Sequence, residues 1–136
     1  ERYIEQVDHT EPIGVVYCDI TGLKRTNDSE GHSTGDRLIC RCCDCLKRVF
    51  EGNGMFRIGG DELVVLCTGI SEKEFYQKVE ELKTELAAHD VSMAVGAAVN
   101  TLEAVGKDHL LTESERRMYQ DKAEYYRSTG LDRRKI

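Results

Sequence analysis

Phe56-Arg57-Ile58-Gly59-Gly60-Asp61-Glu62-Leu63-Val64-Val65-Leu66 is the stretch on which the reading of this chain turns. Two short apolar runs flank a Gly-Gly pair, a hairpin signal in which each glycine is expected to supply the positive φ of a tight primed turn. Val64, Val65 and Leu66 continue the second run without alternation, so that strand is expected to be buried on both faces. Asp61 and Glu62 come straight after the turn, at the expected start of the strand. Such a hairpin closes with neutral residues. Adjacent carboxylates on a rigid turn are what a divalent cation or a proton-transfer step requires. The active centre is expected here.

Working outward, Ile13-Gly14-Val15-Val16-Tyr17-Cys18 is a continuous apolar run that ends on Asp19, a central strand delivering an acid to its carboxyl end. Ile20-Thr21-Gly22-Leu23-Lys24-Arg25-Thr26-Asn27-Asp28 follows as a tight turn and a short helix. A glycine turn at a helix N-terminus offers backbone N–H groups to an anion, and Lys24 adds charge nearby. Gly31 to Asp36 is expected to be a second turn capping a helix that runs to about Phe50, with Leu38, Ile39, Cys42, Cys43, Leu46, Val49 and Phe50 on one face. Ser71 to Ala88 is the clearest helix. Ser71 and Glu74 form its capping box, and Phe75, Val79, Leu82 and Leu86 its apolar stripe. Val91 to Val99 reads as a strand, and a polar loop is expected from Asn100. Thr112 with Glu115 is expected to cap a last helix on which Met118, Lys122 and Tyr126 share an inward face. Glu1 to Thr10 reads as the tail of a lead-in helix or linker, so residues 1–11 are set apart from a domain spanning 12–136.

Composition bounds the function. The 136 residues contain one Pro and 12 Gly, the size and make-up of a single domain with its own core. The formal net charge of −6 argues against a protein that coats nucleic acid, so a polyanionic ligand would be met locally by a few basic groups and a metal ion. No apolar run reaches the length of a membrane helix and no signal peptide opens the sequence. Six Cys without extracellular spacing point to reduced thiols and the cytoplasm, with any membrane anchor carried elsewhere in a longer protein. Cys40, Cys42, Cys43 and Cys45 resemble a metal cluster until placed on a helix. Cys42 and Cys43 then lie on the apolar face and Cys40 away from it, so the four thiols cannot converge on one ion. They are read as small buried hydrophobes.

An aspartate at the end of the first strand, facing acids on a central hairpin, is the palm arrangement of nucleotidyl-transfer enzymes. The expected fold is therefore α+β or α/β, a palm-like nucleotidyl-cyclase domain whose mostly antiparallel central sheet is flanked by helices.

These residues closely resemble the GGDEF domain, the diguanylate cyclase module. Gly59-Gly60-Asp61-Glu62-Leu63 is its signature with Leu in the last place. Asp19-Ile20, Lys24, Asn27-Asp28, Gly31-His32 and Gly35-Asp36 match its upstream run, and Met118-Tyr119-Gln120-Asp121-Lys122 is similar to its terminal segment. The resemblance implies that Asp19, the Ile20 carbonyl and Asp61 bind Mg²⁺, with Mn²⁺ an alternative. Asp61 and Glu62 carry the chemistry, the choice of general base between them being left open. Asn27 and Asp36 read guanine with His32 nearby, Lys24 and Lys122 meet phosphate, and Gly59 and Gly60 bear on the substrate. It also implies GTP as substrate, cyclic di-GMP and pyrophosphate as products, a homodimer for turnover and an upstream sensory domain. A single site holds one nucleotide, so its 3′-hydroxyl needs an α-phosphate presented by a second copy.

The chain departs from the family at four places. Leu63 replaces Phe and should point into the core. Phe50 and Asn53 stand where an inhibitory R-x-x-D would be, which argues against product inhibition there. Ala123-Glu124-Tyr125-Tyr126-Arg127 replaces the usual G-R-N, leaving Arg127 as a substitute phosphate contact. A preceding D-x-L-T segment, absent from this stretch, would weaken the guanine pocket or the dimer by its loss. Two functions follow: an active cyclase output module, favoured by intact acids, or a weakly catalytic GTP-binding regulator. Asn27 with Asp36 favours guanine, since an Asp accepts from its N1–H and N2–H₂ while adenine offers nothing equivalent.

Overall fold

In the computed structural model, residues 10–129 are described. The lead-in helix expected over Glu1 to Thr10, except for Thr10 itself, and the domain's tail past 129 lie outside them. Nine elements follow in order: β1 (Pro12–Ile20), α1 (Leu23–Glu30), α2 (His32–Val49), β2 (Gly54–Arg57), β3 (Glu62–Thr68), α3 (Glu72–Ala88), β4 (Met93–Thr101), α4 (Leu102–Val105) and α5 (Lys107–Thr129). The strands form one four-stranded sheet in the order β2-β3-β1-β4, with every pairing antiparallel.

Both faces of the sheet are covered, which is why β1 and β3 read as unbroken apolar runs. Val16, Cys18, Leu63, Val65 and Cys67 pack on one side against Cys42, Cys45 and Leu46 of α2 and Phe75, Val79 and Leu82 of α3. Ile13, Val15, Tyr17, Val64 and Leu66 pack on the other, beneath Leu110 and Met118 of α5. Leu63 is 2% exposed and points into the first of these cores, as expected. Gly96 lets α5 lie directly on β4, because a Cβ there would stand 2.1 Å from the Met118 amide nitrogen and the Ser114 carbonyl oxygen. The outer edge of β4 is closed by side chains of α5. Asp121 accepts from the Val95 amide at 2.8 Å, and Arg117 donates to the Ala97 carbonyl at 2.6 Å. Capping an edge with side chains removes a template for strand addition.

Ser71 caps α3 as expected, its hydroxyl accepting from the Glu74 amide at 3.2 Å. Three expectations are corrected. α2 starts at His32, so the residues read as a turn up to Asp36 are already helical. The polar stretch after Asn100 is no loop, since β4 runs to Thr101, which caps α4 through the Ala104 amide. α5 starts at Lys107, placing Thr112 inside the helix instead of at its cap, because Leu110 is drawn down onto the sheet.

The hairpin is also looser than its sequence suggests. Ile58 donates to the Glu62 carbonyl at 2.9 Å, leaving Gly59-Gly60-Asp61 as the loop and Glu62 as the first residue of β3. Gly52 and Gly69 take left-handed φ values in this region, whereas Gly59 and Gly60 do not. The Gly-Gly pair is therefore not demanded by turn geometry.

Candidate active site

The site sits where β1 ends beside the β2–β3 loop, and backbone bonds assemble it. The Ile20 amide donates to the Asp61 carbonyl at 2.8 Å, and Asp19 pairs across the ladder with Glu62. Sheet register therefore sets three acidic residues, Asp19, Asp61 and Glu62, as neighbours, with Asp61 acting directly on Asp19. Placing like charges opposite each other is destabilising unless something positive joins them.

Lys122 of α5 is that positive group in this structure. Its ammonium donates to Asp19 Oδ2 at 2.9 Å, reaching inward on the face it shares with Met118 and Tyr126. Asp19 is only 4% exposed, and burial lifts its carboxyl to about 6, against the hydrogen bond from Lys122 and with added repulsion from Asp61. Burial pulls the Lys122 ammonium down, but Asp19 more than offsets this and holds it above its ordinary value. Asp19, Asp61 and the Ile20 carbonyl are oxygen donors of the kind that could hold Mg²⁺ or Mn²⁺. A buried carboxylate facing a second acid fits a cation.

Glu62 is held from the sheet. The Tyr17 hydroxyl donates to Glu62 Oε1 at 3.3 Å, and burial first, then the charges of Glu62 and Glu115, push that phenol up. Arg57 ties the loop by donating to the carbonyls of Gly59 at 3.2 Å and Gly60 at 2.7 Å. Sequence reasoning missed both residues. Tyr17 lies two positions before Asp19 on the same strand face, so the period of two could have revealed it. Arg57 left no such signal.

The loop glycines are bare toward solvent. A Cβ at Gly60 would meet nothing within 4 Å, and one at Gly59 would meet only Glu62 Oε1, at 3.9 Å. After the end of β1, Gly22 caps α1 in the left-handed region with no side-chain cap hydrogen bond. Asn27 on α1 is brought against α2, where its amide oxygen lies so close to Gly35 that no Cβ would fit. Gly35 directly precedes Asp36 on α2. Lys24, His32 and Asp36 are exposed, with His32 opening α2.

The altered positions have local roles. Phe50 is buried at the end of α2, and the Asn53 side-chain amide donates to its carbonyl at 3.2 Å. Arg127 pairs with Glu124 on the surface at 2.5 Å.

A family model described as diguanylate cyclase, GGDEF domain, matches residues 1–127. This chain belongs to the GGDEF family. Over 111 residues, 73% of the chain, it is 31% identical to diguanylate cyclase DosC of Escherichia coli, of which the match covers 24%. It is 28% identical to diguanylate cyclase DgcS of Shewanella oneidensis, covering 82% of this chain and 39% of that protein. The chain thus spans well under half the length of these relatives. Among solved structures, an EAL/GGDEF domain protein from M. capsulatus superposes with a TM-score of 0.71 at 27% identity, over 83% of this chain and 79% of that one. The GGDEF domain of DgcB from Caulobacter crescentus, solved with c-di-GMP, superposes with a TM-score of 0.75 at 20% identity, over 84% and 74%, and so supports the fold. The four-stranded antiparallel sheet flanked by helices is the palm-like architecture expected of this GGDEF domain. Among the described residues, no helix is long and apolar enough to cross a membrane.

Proposed function

We propose that this GGDEF domain is a diguanylate cyclase module that joins two GTP into cyclic di-GMP as part of a longer signalling protein. The observation that carries the reading is the buried Asp19 carboxylate set against Asp61 at the end of β1, a donor pair that a divalent cation would complete. When bound, Mg²⁺ would activate a ribose hydroxyl and neutralise triphosphate charge. Asp19, Asp61 and the Ile20 carbonyl would hold it.

The remaining residues bind and orient. Asn27, packed against Gly35 of α2, and Asp36, the next residue on that helix, would take the guanine edge, Asp36 accepting from N1–H and N2–H₂. The uncapped N-terminus of α1 and Lys24 would receive phosphate oxygens. Lys122, once Asp19 has another partner, would be released to do the same. Gly59 and Gly60 leave the loop surface clear for a nucleotide lying close to the backbone. Glu62, oriented by Tyr17, stands beside Asp61, and either can take the hydroxyl proton.

In each half-reaction the 3′-oxygen of one GTP bonds to the α-phosphorus of the other and pyrophosphate leaves. Two halves give one cyclic dinucleotide and two pyrophosphates. Two copies of the domain must face each other for this geometry.

The test is incubation of the purified domain, fused to a dimerising helix, with GTP and Mg²⁺. Cyclic di-GMP and pyrophosphate are expected from the wild type and neither from Asp61→Ala. GTP binding without turnover in the enforced dimer would overturn the enzyme reading.

A further inference from the structure

On the face of the molecule where α2 meets α3, three side chains converge that play no part in the carboxylate site. Cys45 lies on the inner side of α2 and is 1% exposed. Glu85 lies in the last turn of α3, and His89 caps that helix. One ligand atom from each falls within 4.8 Å of the other two. Glu85 Oε2 and His89 Nε2 stand 3.1 Å apart. We propose that Cys45, Glu85 and His89 form a zinc-class metal site that clamps α2 to α3.

The donor set selects the metal. Thiolate, imidazole and carboxylate together suit Zn²⁺, whereas Mg²⁺ takes oxygen ligands alone. Bond lengths of about 2.0–2.3 Å make the edges of a tetrahedral site about 3.3–3.7 Å. Glu85 and His89, 3.1 Å apart, lie just inside that spacing, so the two need part only slightly and close onto a thiol that is within 4.8 Å of both. Water takes the fourth position.

The site already attracts a cation. The guanidinium of Arg48 lies 2.8 Å from His89 Nε2 and 3.4 Å from Glu85 Oε2. Its side chain is 51% exposed and can swing into solvent, so Arg48 is a displaceable occupant and not a fixed partner. Arg41 donates to the His89 carbonyl and fixes the backbone of that ligand. Binding breaks the S–H bond of Cys45 and passes its proton to water. The other cysteines of α2 do not take part, and Cys40 is exposed on another face.

The experiment is a Co²⁺ titration of the reduced protein, followed by the near-ultraviolet sulfur-to-cobalt absorption. That band requires a thiolate, so Co²⁺ at the Asp19–Asp61 carboxylates is silent. One equivalent with a saturable band, displaced by Zn²⁺, is expected. Cys45→Ala should abolish the band, His89→Ala should weaken binding about tenfold or more, and a Cys40→Ser/Cys43→Ser double variant should keep it. Arg48→Ala, which leaves the core untouched, should tighten binding about two- to fivefold, the size of an exposed ion pair. Absence of the band in the wild type, its persistence in Cys45→Ala, or weaker binding in Arg48→Ala would overturn the assignment.

Discussion

Replacing Lys122 with methionine removes the charge that stands against Asp19 while keeping the length of the side chain on its inward face. Asp19 is 4% exposed, and its carboxyl is lifted from 3.8 to about 6 even with the Lys122 ammonium 2.9 Å away. In the metal-free protein, an acid with a raised folded value binds its proton more tightly in the native state than in the unfolded chain. Stability therefore falls as pH rises through the window from about 4 to about 6, and above it the ionised carboxylate costs the fold about 3 kcal/mol at about 1.4 kcal/mol per pH unit. Deleting one partner of a fully buried pair costs about 3–5 kcal/mol. The Lys122 side chain is 25% exposed, so solvent screens part of that, and about 1–3 kcal/mol is expected at pH 8. At about pH 4.5, Asp19 carries its proton in both proteins and the loss should shrink below about 1 kcal/mol. Urea denaturation with a chelator present, at both pH values and in an Asp19→Asn background, measures this. In that background Lys122→Met should cost less than about 0.5 kcal/mol at either pH. An equal loss at the two pH values, or an unchanged loss in the Asp19→Asn background, would refute the reasoning.

Gly96→Ala pushes a Cβ into the backbone of α5, 2.1 Å from Met118 N and Ser114 O, and should cost about 3 kcal/mol or more of unfolding free energy by urea denaturation, the upper end of over-packing. Gly60→Ala meets nothing within 4 Å and should change stability by less than about 0.5 kcal/mol while reducing GTP affinity by calorimetry; unchanged affinity would show that nothing lies over the loop. Tyr17→Phe removes the hydroxyl 3.3 Å from Glu62 and should lower turnover about fivefold, equivalent to about 1 kcal/mol, with GTP binding little changed; an unaltered rate would remove Tyr17 from the positioning of Glu62.

The fold class and the acidic centre were legible in the amino-acid sequence because each rests on local pattern. Continuous apolar runs in β1 and β3 announced strands covered on both sides, and the spacing of Asp19, Asn27, Asp36, Asp61 and Glu62 carried the family resemblance without knowledge of a contact. The capping box of α3 was legible for the same reason, its two partners being three residues apart. The hairpin shows the limit of pattern: its glycines invited a primed turn, yet the loop takes three residues and needs no left-handed φ at Gly59 or Gly60.

Tertiary structure alone decided the rest. Lys122 meets Asp19 across 103 residues and Tyr17 meets Glu62 across 45, and no periodicity encodes which side chain arrives opposite which. α5 begins five residues before its expected cap at Thr112 because Leu110 gains more from the sheet than the local sequence reveals. Cys45 read as a buried small hydrophobe until α3 laid Glu85 and His89 over it. Local spacing fixes what a segment can be, since helix and strand periods are set by the backbone. Partners far apart in sequence are chosen by packing, which brings Lys122 to Asp19 only once α5 has settled onto β4 at Gly96.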